Sequence, residues 1–275
     1  KNYPRYWASI RANTLKAKTL AKDIESGVSR LKTLYPTLRP AKVYFTIGVF
    51  RTPGTIMDGS ILIGSEMALG DANTDTSELP DNLDYVKQYL KTNPAKEVVF
   101  LNVHEYVHTQ QRAAGGYDLL SQCLFEGVAE FIATRAMGQP SPTPAIEFGN
   151  QNESRVKSYF MEEMFSPWYY NWIWNDTDNP FRMRDLGYYI GYAIAERHYE
   201  QAADKQQAIC DLIELDYTNP EAVERLVDKT GYFGRSMKSM HRKYEKNRPR
   251  VTGIGQFKNG SKKVDPGLMC VPKIG

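Results

Sequence analysis

The stretch His104-Glu105-Tyr106-Val107-His108 sets two histidines four positions apart, with a glutamate beside the first. On an α-helix, residues i and i+4 share one face a turn apart, so both imidazoles can reach a single cation. Glu105 projects about 100° round the helix from His104, beside a metal-bound water rather than on the metal. The pattern implies a zinc site with a general base attached, the parts needed for metal-assisted hydrolysis. The approach from Glu97 to Val103 is strongly apolar, as the buried lead-in to such a helix would be. Asn93-Pro94 supplies a cap and a first-turn proline, and Gly115-Gly116 a stop, which predicts a helix from about Pro94 to Ala114. A surface helix with two solvated histidines is the alternative. The apolar surroundings speak against it, because unpaired polar groups there are costly.

A catalytic zinc usually takes three protein ligands. No histidine follows His108 at short range, where Thr109, Gln110, Gln111, Arg112, Ala113 and Ala114 stand, and His198 and His241 are distant. A carboxylate is the natural third donor. The apolar segment Leu119 to Ala133 contains two acids one turn apart, Glu126 and Glu130. A buried carboxylate needs a cation or hydrogen-bond donors, and a zinc site offers both.

Taken together, His104-Glu105-Tyr106-Val107-His108 and Glu126-Gly127-Val128-Ala129-Glu130 resemble the gluzincin peptidases, which include thermolysin, the aminopeptidase-N-like enzymes and the clostridial collagenases. In the latter two the glutamate before the glycine binds the metal. The resemblance therefore implies one zinc ion held by His104, His108 and Glu126, with Glu105 as the general base. It also implies that Glu130 orients a zinc-binding histidine, fixing its tautomer; the other reading of Glu130 is a surface acid on an amphipathic helix. Aminopeptidase-N-like enzymes carry a tyrosine, two residues and a glycine at the start of a later helix. Tyr188-Tyr189-Ile190-Gly191 matches that spacing, so Tyr188 is the expected stabiliser of the oxyanion, with Tyr189 and Tyr192 behind it. An aromatic packing face is the alternative in a chain of 18 tyrosines. More widely, the order of these motifs over about residues 40–200 is similar to predicted bacterial zinc peptidases related to the gliding-motility lipoprotein B family. That likeness implies an extracytoplasmic setting, whether periplasmic, surface-associated or secreted.

The rest of the composition narrows the field. The 275 residues carry 35 basic and 32 acidic side chains, net +3, and show no basic run interleaved with aromatics, so nothing favours nucleic acid. No apolar run approaches the length of a membrane span. No signal peptide is read, although a chain opening on lysine is consistent with processing or trimming. The three cysteines, Cys123, Cys210 and Cys270, lack metal spacing, and Cys123 reads as a small core residue.

The fold class expected is α+β, a gluzincin-like (thermolysin-like) catalytic domain. A mixed α/β part with the zinc helix spans 1–114, a helical part with the third ligand 115–249, and a hairpin or tail 250–275. Helices are expected within Tyr3 to Tyr35, and a strand over Lys42 to Phe50. A second strand runs over Ser60 to Met67. Gluzincins lay an extended peptide against an edge strand above the zinc, and Ile61, Ile63 and Gly64 could play that part or be ordinary sheet. After a turn-rich 70–82, a short helix covers Leu83 to Leu90. The aromatic run Pro167 to Trp174 lines a cleft or packs a core. Later helices are expected at roughly 186–202, 204–215, 220–229 and 233–246, and Asn259-Gly260 signals a hairpin in the tail. The reading is a zinc metallopeptidase acting on peptide or protein substrates. Its rival is a non-catalytic zinc-containing module of a bacterial surface or motility assembly.

Overall fold

The opening helices are stripes of apolar residues three and four apart, and the structure pays them out as expected. A computed structural model describes residues 2–112 and 115–247. The chain begins with α1 (Pro4–Leu15) and α2 (Ala21–Leu34), whose Ile24 and Leu31 turn inward. Then come β1 (Val43–Thr46), β2 (Gly54–Met57) and β3 (Ser60–Gly64), followed by the single turn α3 (Ser65–Ala68). α4 (Asp84–Lys91) leads to α5 (Val98–Gln110) and α6 (Leu119–Met137). The remainder is α7 (Pro144–Glu163), α8 (Leu186–Gln201), α9 (Lys205–Ile213), α10 (Pro220–Thr230) and α11 (Met237–Asn247). The architecture is α+β, mostly helical, with one small mixed sheet.

The sheet has the order β1-β3-β2. β1 runs parallel to β3 with Val43 opposite Ile61, and β2 runs antiparallel to it with Gly54 opposite Ile63. Asp58 and Gly59 join β2 to β3 with φ of 49° and 70°, the left-handed pair a two-residue hairpin demands. The central position of β3 corrects one expectation. Ile61, Ile63 and Gly64 belong to a strand bonded on both sides, so they present no free edge. Their alternation instead buries Ile61 and Ile63 completely. The free antiparallel edge belongs to β2, which pairs with β3 alone.

β1 is also shorter than the apolar run that codes for it. The buried carboxylate of Glu66 accepts the backbone N–H groups of Gly48 at 2.9 Å and Phe50 at 2.8 Å, which takes those donors out of the sheet. Val49 and Phe50 then adopt positive φ, and the chain loops back towards β2. The helix of His104 and His108 is likewise shorter than expected: Pro94–Lys96 form a separate 3₁₀ turn, and the helix ends at Gln110.

α5, α6 and α8 form the centre of the packing, with α2 against the first two and α7 against the third. α6 is apolar on nearly every face, as a helix surrounded by others must be. Asp118 starts it by accepting the Ser121 N–H at 2.8 Å, and Gly138 ends it in the left-handed conformation. The core runs without a break from Leu31 through Val107, Leu124 and Ile190 to Met240. Within the aromatic run Trp172 and Ile173 pack into the core, while Trp168, Tyr170 and Trp174 are exposed. No helix among the described residues is long and apolar enough to cross a membrane. The hairpin expected at Asn259-Gly260, and the tail that would carry it, lie outside the described residues.

Candidate metal centre

Two glycines decide where the site forms. A Cβ on Gly127 of α6 would lie 2.2 Å from the backbone nitrogen of Tyr192, and one on Gly191 of α8 would lie 1.9 Å from the carbonyl oxygen of Cys123. The two helices therefore cross with their backbones touching, which no larger residue permits. The crossing brings Glu126, just before one glycine, next to Tyr188, three before the other. α5 also packs along α6 and carries the histidines.

His104, His108 and Glu126 converge there, with one donor atom from each within 4.8 Å of the others. The two Nε2 atoms are 3.1 Å apart, and Glu126 Oε2 lies 3.7 Å from His104 Nε2 and 3.3 Å from His108 Nε2. The edge of a tetrahedron with metal–ligand bonds of 2.0–2.1 Å is about 3.3 Å. All three side chains are buried.

The outer nitrogens settle which atoms face inward. His104 Nδ1 lies 2.8 Å from Glu130 Oε2, an ion-pair contact. Glu130 is held in turn by Thr143 Oγ1, which donates to its other oxygen at 2.7 Å, and by the Ser141 hydroxyl. His108 Nδ1 donates to Gln111 Oε1 at 2.6 Å. Gln111 cannot present its nitrogen there instead, because that nitrogen donates to the Phe125 carbonyl at 2.9 Å and to the Tyr217 hydroxyl oxygen at 3.3 Å. Both rings turn Nε2 towards the carboxylate of Glu126, where a neutral imidazole carrying its proton on Nδ1 aims a lone pair. Three electron-pair donors that meet in a buried space call for a cation. The electrostatics favour positive charge at this spot. Burial disfavours an imidazolium, yet Glu126 and Glu130 outweigh it and lift His104 to about 10. Burial likewise pushes the Glu126 carboxyl up, but His108 and His104 outweigh it and hold it well below the usual carboxylate range. The residues fit a metal ion.

Glu105 stands differently. Its carboxylate is buried and makes no hydrogen bond among the described residues, and burial pushes its pKa up against the opposing pull of the two histidines. A Cβ on Gly54 would lie 2.5 Å from Glu105 Oε1, so the first residue of β2 passes directly against this acid. On the other wall, the Tyr188 ring stacks on His104 with centroids 6.1 Å apart. Its phenol lies near Glu126 and the side chain of Trp174, and burial, then Glu126, holds it well above its ordinary pKa. It is a donor at every ordinary pH.

The structure thus brings His104, Glu105, His108, Glu126, Glu130 and Tyr188 into one place. Tyr189 packs against Gly149, and Tyr192 against Phe131, both away from the donors. His198 pairs with Asp211 and His241 with Glu224, and neither joins a metal-type grouping among the described residues. Sequence reasoning missed Gln111, Ser141, Thr143, Tyr89 and the β2 edge. Gln111 stands three positions after His108, at the point where the helix stops, which was the available signal. Tyr89 of α4 lies near Glu105, whose charge adds to burial in raising its phenol.

Fold and site define an α+β chain built around a His–His–Glu metal-type centre. The family model described as "Gliding motility protein GldB" matches residues 6–219, and the chain belongs to that family. No curated protein and no solved structure gives a significant match.

Proposed function

We propose that the protein is a zinc-dependent peptidase of the gluzincin type. The observation that carries this reading is the orientation of the two imidazoles, each with its outer nitrogen beside an oxygen acceptor and its Nε2 facing Glu126. His104, His108 and Glu126 would hold the ion, and three protein ligands are the number typical of catalytic rather than structural zinc. Zinc there supplies Lewis acidity towards a peptide carbonyl and towards water. Glu105, buried, unbonded and raised in pKa, takes the proton of the attacking water and delivers it to the leaving amine. Tyr188 keeps its proton and donates to the oxyanion as negative charge develops. The edge of β2, antiparallel in its sheet and in contact with Glu105 at Gly54, is the place for an extended peptide to lie. The name of the family supports a lipoprotein of the cell envelope as the setting.

The test is metal content beside digestion of a broad peptide library. One equivalent of zinc with cleavage, both lost on chelation, is the expected outcome. The family description favours a second reading, a non-catalytic zinc-containing module of a motility assembly. One equivalent of zinc with no cleavage of any library would select that reading and overturn the first.

A further inference from the structure

Arg184 is the cation of this cleft that the hydrolytic reading leaves unused. It stands two residues before α8, the helix that carries Tyr188. Its Nε is buried without a hydrogen bond, the only arginine nitrogen so placed among the described residues. The nearest acid is its neighbour Asp185, with Oδ2 3.6 Å from Nε, beyond hydrogen-bond range. Asp185 is already engaged, since its other oxygen accepts the Trp174 N–H at 2.7 Å. The side chain as a whole is 31% exposed although Nε is buried, so part of it is open to solvent.

The location ties it to both walls. On its own wall, Asp185 lies close enough for its charge to act on Tyr188, and it feels that of Glu126. On the opposite wall, Arg184 acts on the phenol of Tyr85, which donates to the Phe50 carbonyl in the loop leading to β2. Arg184 thus stands four positions before Tyr188 in the chain, and its charge reaches Tyr85 beside the loop into β2. A planar fork of five N–H donors, partly desolvated and with its Nε lacking a hydrogen bond, matches a carboxylate better than any other common peptide group.

We propose that Arg184 anchors a carboxylate of the substrate, so that the preferred peptides carry either a free C-terminal carboxylate or an Asp or Glu side chain near the scissile bond. The proposal rests on the peptidase reading. Four versions of one peptide separate the two sources: C-terminus free or amidated, and the acidic side chain present or replaced by its amide. The zinc-loaded protein should prefer one carboxylate-bearing version. Arg184→Gln should lose about 10- to 100-fold in kcat/KM on that version alone, through KM, with zinc content unchanged. Arg184→Lys should recover part of the loss. An equal loss on charged and neutral peptides would show a merely structural arginine and overturn the proposal, as would a native protein indifferent to the acid-to-amide changes. Binding of the same peptides to Glu105→Gln, followed by tryptophan fluorescence, keeps the two readings apart. Carboxylate-dependent binding that Arg184→Gln abolishes would uphold the anchor even if the native protein cleaves nothing. Binding that ignores the carboxylate would sink it even if cleavage occurs.

Discussion

Glu105 and Glu130 are both buried glutamates beside the same two imidazoles, and their surroundings give them opposite duties. Glu130 has three donors around it and serves to aim His104. Glu105 has none and remains available as a base. Replacing Glu105 by Gln should leave one equivalent of zinc bound, by metal analysis, while kcat on a cleaved peptide falls by about 10²–10⁴-fold. Replacing Glu130 by Ala should instead weaken zinc by about 10- to 100-fold in a competitive chelator titration. Similar zinc affinity in that variant would mean the His104–Glu130 bond does not position the ligand. The motif residues were legible in the sequence because their spacing is a helical period and their chemistry is narrow. Gln111 was not, because nothing in a glutamine's identity says that its amide will turn back to one ring while gripping the carbonyl of Phe125.

At the level of elements, the crossing of α6 and α8 sets the geometry, and two small residues permit it. Gly191→Ala would push a methyl group into the Cys123 carbonyl, which as backbone cannot swing aside. The expected cost is about 1–3 kcal/mol, read as a lower urea midpoint at unchanged slope. Tyr188 should move away from Glu126 in the same variant, so kcat should fall further than instability explains. Unchanged stability would show that the helices separate easily. The helices were read well from apolar periodicity and from their caps, because a 3.6-residue period over a dozen positions is difficult to mistake. The strands were read less well. A four-residue strand such as β2 offers too few positions for a pattern, although Asp58-Gly59 was a hairpin signal in plain view. The shortening of β1 depends on Glu66, sixteen or more positions away, and no local rule could supply it.

Across the whole molecule, the site is held by a core that reaches from α2 to α11, so metal and fold should share their stability. A ligand that binds only the native chain stabilises it by about 4 kcal/mol at a thousand times its dissociation constant. Chelation should therefore lower the melting temperature by several degrees in calorimetry, and zinc should restore it. A melting curve indifferent to chelator would count against a tightly held ion. The layers of the fold were legible, since alternation of short strands and long amphipathic helices separates sheet from bundle. Which strand lay at the edge was not, because that depends on pairing order rather than on any residue. The ligands come from adjacent helices, whereas the phenol that faces them belongs to a helix starting only at Leu186. Contacts between near neighbours in sequence form sooner than distant ones. A refolding chain should thus capture zinc early and become competent late, passing through a loaded but inert stage. Stopped-flow uptake of the ion, timed against recovery of cleavage, would reveal that interval or show that the two arrive together.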